Sequence, residues 1–115
     1  MTMNEKQVLF TRLMAELIVQ CSSEGIDMIG AELFRTPEQA EIYAKSGKGI
    51  RNSNHTRKLA IDLFRYKDGS VSWNHADYER AGEIWKGLHE LCRWGGDFTH
   101  MRDSPHFSLY HNGVI

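Results

Sequence analysis

The sequence predicts a single α+β domain with strands and helices interleaved irregularly. Two stretches, near residues 4–24 and 77–93, repeat apolar residues at intervals of three and four, the period of an amphipathic helix. A third, residues 59–66, alternates them at intervals of two, the period of a strand. The 115 residues, 41% hydrophobic and 25% charged, show no repeat, linker or low-complexity segment and are enough to bury one continuous core.

Phe10, Leu13, Met14, Leu17, Ile18 and Cys21 define the apolar stripe of the first helix, Asn4 to Glu24, and Gly25 stands where it should stop. Ile26 to Arg35 reads as an imperfect strand around Gly30 that delivers Arg35 to its end. Thr36-Pro37-Glu38-Gln39 supplies a capping hydroxyl, a first-turn proline and a capping-box glutamine, so a short helix runs to about Lys45. Residues 45–58 hold five basic residues and no acid and read as an exposed loop. In the strand that follows, Leu59, Ile61 and Leu63 share one face and Ala60, Asp62 and Phe64 the other, before Lys67-Asp68-Gly69-Ser70 turns the chain. Tyr78, Ala81, Ile84, Trp85, Leu88, Leu91 and Cys92 predict a second long helix from Asp77 to Arg93, stopped by Gly95-Gly96. A polar loop to Pro105 and a last strand, His106 to Tyr110, complete the order.

The charge balance narrows the function. With 14 Lys+Arg against 15 Asp+Glu the chain lacks the basic excess of a nucleic-acid binder. The apolar run Val8 to Val19 is broken by Thr11, Arg12 and Glu16, so it fits neither a signal peptide nor a spanning helix, and a product made in the cytosol without stable membrane association is expected. Cys21 and Cys92 are expected as buried, reduced thiols.

Six histidines are the unusual feature. His55 and His106, from separate segments, together with Asp62 are the imidazole and carboxylate donors of a catalytic zinc, which keeps a fourth position for water. Ala60 on the Asp62 face leaves room beside such an ion. Pro105 turns the chain between Asp103 and His106, so Asp103 can approach the metal-bound water without ligating the ion. Spacing alone leaves open that these are ordinary loop and surface residues.

Ser53-x-His55-x6-Asp62, then Trp94-Gly95-Gly96-Asp97-Phe98 and Asp103-x-Pro105-His106-Phe107, preceded by Phe34-Arg35-Thr36-Pro37-Glu38-Gln39, resembles the zinc-dependent peptidoglycan peptidases of the D-alanyl-D-alanine carboxypeptidase and L-alanyl-D-glutamate endopeptidase group, of phage endolysin type. The blocks keep the family's order over residues 34–107, about two-thirds of the chain. The resemblance implies a small antiparallel sheet with helices packed on it, the hedgehog/DD-peptidase-like fold, and one zinc peptidase catalytic domain over residues 1–115. It implies Zn²⁺ on His55, Asp62 and His106, Asp103 as general base and then acid, and Arg35 as the group that polarises the scissile carbonyl. Ser53 would support the His55 loop or contact substrate. Many members carry Gly where this chain has Lys58, which is expected, with other cations of the loop, to attract stem-peptide carboxylates. The implied partner is bacterial peptidoglycan, reached from the host cytoplasm through a holin lesion, by a monomer.

Trp94 is expected either as a wall of the substrate groove or as core. His75 reads as a surface or cap residue, His89 as a helix histidine and His111 as exposed. His100 is the rival of His106 as a ligand, and Asp97 of Asp103 as the base. Competing functions are a non-catalytic, zinc-containing peptidoglycan-binding domain of the same fold and, more weakly, a metal nuclease served by the basic loop.

Overall fold

Helix α1 spans Met3–Ser23 in the computed structural model, which describes residues 1–115. The Thr2 hydroxyl accepts from the Glu5 amide at 3.1 Å and the Glu5 carboxylate accepts from the Thr2 amide at 2.9 Å, a reciprocal cap that fixes the helix start. Its buried stripe is Phe10, Leu13, Leu17 and Cys21. Gly25, at φ +74°, turns the chain into β1 (Asp27–Gly30), a conformation costly to any residue with a side chain.

The strand expected to carry Arg35 is shorter than predicted, because regular pairing stops at Gly30. The backbone still follows β2 (Ala60–Lys67) beyond that point, Ala31 donating to the Asp62 carbonyl and the Asp62 amide to that of Glu32, both at 2.9 Å. Thr36 caps α2 (Pro37–Lys45) by accepting from the Gln39 amide at 3.0 Å. The loop expected to be exposed throughout is exposed only in part. Residues 53–55 are buried, because Asn54–Arg57 winds into a 3-10 turn packed against β2.

Asp68 and Gly69, both at positive φ, close a hairpin from β2 to β3 (Ser70–Ser72), a strand too short to show in the sequence. The second long helix is also corrected. His75–Tyr78 forms a 3-10 turn, α3 covers only Glu79–Leu88, and Cys92–Trp94 is strand β4. His89 takes an extended backbone that breaks the helix, and β4 pairs with β5 (His106–Leu109), opposing Cys92 to Leu109 and Trp94 to Phe107. Long-range pairing and burial override the helical period there.

The sheet is antiparallel in the order β1-β2-β5-β4, with β3 also on β2. One face, carrying Ile61, Leu63, Phe107 and Leu109, packs on α1 and α3 through Phe10, Leu17 and Trp85. Phe10 and Phe107 meet Trp85 edge-on, at centroid distances of 5.7 and 6.3 Å. Both cysteines are buried and free, and burial raises their thiols to about 11 for Cys21 and about 12 for Cys92. No helix is long and apolar enough to cross a membrane.

Candidate metal centre and cleft

The opposite face of the sheet carries the polar cluster. The β2–β5 register sets Asp62 directly opposite His106, and in an antiparallel pair facing residues share a side of the sheet. His55 arrives from the 3-10 turn. Ser53 caps that turn by accepting from the His55 amide at 3.1 Å. Asn54, fully buried, ties it down by donating to the carbonyls of Leu109 and Val114 at 2.9 and 3.0 Å.

His55 Nδ1 lies 3.1 Å from the Leu33 carbonyl, which can only accept, so Nδ1 carries a proton, and Nε2 faces Asp62 Oδ1 at 3.3 Å. His106 Nδ1 stands 3.6 Å from the same oxygen. One donor atom from each of His55, Asp62 and His106 fits within 4.8 Å of the others. Asp62 Oδ1 and His106 Nε2 are buried without a hydrogen-bond partner, an arrangement that costs free energy unless a further group satisfies them. Burial pushes the Asp62 carboxyl up, but the imidazoles of His106 and His55 outweigh it and hold it down at about 2. Two imidazoles and one ionised carboxylate with orphaned atoms fit a divalent transition metal such as zinc.

Arg35 joins this centre through its backbone, donating to the His55 carbonyl at 3.1 Å. Its guanidinium is held by Glu32, which accepts from Nε at 2.8 Å and from Nη2, and reaches Ser53 Oγ at 3.5 Å while lying over the Tyr43 ring. Asp103 is positioned by backbone bonds alone: its amide donates to the Gly95 carbonyl at 2.9 Å and its carbonyl accepts from the His106 amide at 3.0 Å. Partial withdrawal from water, and then the charge of Asp62, raise its carboxyl above the usual range against the pull of His106, His55 and Arg35.

Arg35, Ser53, His55, Asp103 and His106 line one cleft of about 380 Å³, with Lys48 and His100 beside them and residues 113–115 along another side. Two expected substrate contacts lie outside the wall of this cleft. Trp94 is core, only 4% exposed, clamped between Gly82 and Gly96, where a Cβ would lie 2.3 and 2.2 Å from the indole. Lys58 stands outside the cleft wall, its ammonium over the Phe34 ring at 5.3 Å. Its backbone is left-handed, φ 57° and ψ 39°, which accounts physically for glycine being suited to this position.

Among the remaining expectations, His100 lines the cleft but is outside the triad, and Asp97 pairs with Lys86 at 2.7 Å. His75 is not a free surface residue. It bonds Ser104 Oγ at 2.7 Å and stacks on Trp94. His111 is half-buried, 3.2 Å from the Lys6 ammonium. Sequence reasoning missed Glu32 and Asn54. Glu32 lies outside the motifs and its partner Arg35 is reached across an irregular turn, while Asn54 fills the unspecified position of Ser53-x-His55 and bonds carbonyls distant in the chain.

The sequence model of the D-alanyl-D-alanine carboxypeptidase family matches residues 46–109. An L-alanyl-D-glutamate peptidase of a Listeria phage is 27% identical over 100 residues, which cover 85% of this chain and 36% of that protein. The chain therefore spans about a third of that relative's length. A solved structure, the L-Ala D-Glu endopeptidase of Serratia marcescens, superposes with a TM-score of 0.65 at 23% identity, over 74% of this chain and 68% of that one.

Proposed function

The chain belongs to the D-alanyl-D-alanine carboxypeptidase family, and from that membership we propose that it is a zinc-dependent peptidase that hydrolyses a peptide bond in the stem of bacterial peptidoglycan. The observation that carries this reading is the convergence of His55, Asp62 and His106 on one another, with His55 and His106 in the wall of a cleft that Arg35 and Asp103 also line. Zinc held by the triad supplies Lewis-acid polarisation of the scissile carbonyl and activation of water at neutral pH. Arg35, kept in place by Glu32 and Ser53, donates to the carbonyl oxygen as negative charge develops on it. Asp103 accepts the proton of the attacking water and returns it to the leaving amine. Lys48 at the cleft wall offers a cation to the free carboxylates of the stem.

The Listeria phage relative, an L-alanyl-D-glutamate peptidase, favours the L-alanyl-D-glutamyl bond over the terminal D-alanyl-D-alanine bond. In this reading residues 1–115 form one catalytic domain that acts as a monomer. An endolysin role follows: synthesis in the host cytoplasm and access to the wall after a holin has opened the membrane.

Digestion of purified sacculi, followed by mass spectrometry of the released muropeptides, tests the proposal. Fragments with a new amino terminus in the stem, abolished by a chelator and restored by zinc, are the expected result. Protein that sediments with sacculi and releases nothing from several wall types would replace this reading with that of a binding domain.

A further inference from the structure

Trp85 and Trp94 are buried, whereas Trp73 is 67% exposed. It follows β3 and packs edge-on against Phe64 of β2, with ring centroids 5.0 Å apart at 66°. Phe64 lies two residues beyond Asp62, hence on the same face of the sheet and about 7 Å further along the strand. A shallow groove takes in Phe64, Trp73, His75 and Arg102, and its wall includes Asp103, which also lines the metal cleft. The two depressions therefore meet at Asp103. A chain lying in the cleft has a way past Asp103 toward the indole.

An indole left in water forgoes a large burial, and its flat apolar face with a polar rim sets the chemistry that fits it. A pyranose ring has that form: C–H groups on one face, hydroxyl and acetamido groups around the edge, within reach of polar neighbours such as Arg102. The stem peptide itself, built of alanine and charged residues, carries no flat ring. In peptidoglycan the first L-alanine is joined through a lactyl group to muramic acid. Its carbonyl is thus one residue and one lactyl unit from the sugar, about 7 Å at the extended-chain rise. The terminal D-alanyl bond lies about 10 Å further off.

We propose that Trp73, braced by Phe64, is a saccharide subsite that seats the muramoyl residue of the glycan strand and so sets the cut at the first amide beyond L-alanine. This rests on the peptidoglycan reading above.

The test compares kcat/KM on an N-acetylmuramoyl peptide with that on the same peptide lacking the sugar. The native protein should favour the sugar-bearing substrate by about tenfold, the size of a well-placed aromatic contact. Trp73→Ala should bring the ratio close to one, and Trp73→Phe should keep part of it. A second arm needs no turnover: calorimetry with stem-free glycan should give binding by the native protein and none by Trp73→Ala. Equal native rates on both peptides, or a ratio unchanged in Trp73→Ala, would overturn the subsite. If the native protein cleaves neither peptide, the hydrolase reading fails and the glycan titration alone decides whether Trp73 binds sugar.

Discussion

Gly95→Ala moves Asp103 without altering its side chain. A Cβ on Gly95 would lie 2.1 Å from the Asp103 carbonyl oxygen and 2.8 Å from His106 Cβ. A Cβ contact must open to at least 3.0 Å, so the carbonyl has to retreat by about 0.9 Å, the difference between 3.0 and 2.1. That carbonyl accepts from the His106 amide, and the Gly95 carbonyl accepts from the Asp103 amide, so the displacement falls on the two bonds that hold Asp103 over the cluster. Misplacing a catalytic group by about 1 Å costs on the order of 10²-fold in rate. Overpacking also costs about 1–3 kcal/mol of stability, which calls for a control that is destabilised elsewhere. Ile84→Val, in the core on α3 and away from the cleft, loses about 1 kcal/mol by deleting one methylene. Both variants should melt below the native protein. Muropeptide cleavage measured well below either transition should fall about 100-fold in Gly95→Ala and stay near native in Ile84→Val. Native turnover by Gly95→Ala would refute the placement of Asp103 as the proton carrier.

Three other outcomes follow. Lys58→Gly should stabilise the protein by about 0.5 kcal/mol, as relief of a left-handed backbone worth about 1 kcal/mol exceeds the lost exposed cation–π contact, and thermal melting with an unaltered cleavage rate would show it. Glu32→Ala should lower kcat/KM about tenfold by releasing the Arg35 guanidinium, with zinc affinity, measured by calorimetry, left near native. The thiols of Cys21 and Cys92 should resist alkylation at mildly alkaline pH until the protein unfolds. Their folded values lie above the ordinary 9.0, so the stability they contribute is complete below about 9 and is lost as pH rises toward 11 and 12. Rapid labelling of the folded protein would contradict this.

The periodic elements were legible. Helix α1, strand β2 and strand β5 lie close to where residue spacing puts them, because each buries an unbroken apolar stripe or alternation. The grouping of His55, Asp62 and His106 was legible too, since all three sit in motifs whose residue types suit an ion. Strand β4 was not, because Leu88, Leu91 and Cys92 continue a helical period and only pairing with β5 makes Cys92–Trp94 extended. Trp94 could be read either way from its neighbours. Its place is decided by Gly82, a residue of α3 that lets the helix lie against the indole. Glu32 escaped notice because its role depends on a guanidinium folded back across an irregular turn.

In the proposed mechanism His55, Asp62 and His106 hold the ion and Asp103 moves the proton. Zinc content and muropeptide hydrolysis, measured side by side on Asp103→Ala and His55→Ala, test it most directly. Asp103→Ala should retain zinc at the native stoichiometry and lose hydrolysis, while His55→Ala should lose both. Hydrolysis at the native rate by Asp103→Ala, or full zinc retention by His55→Ala, would overturn these assignments.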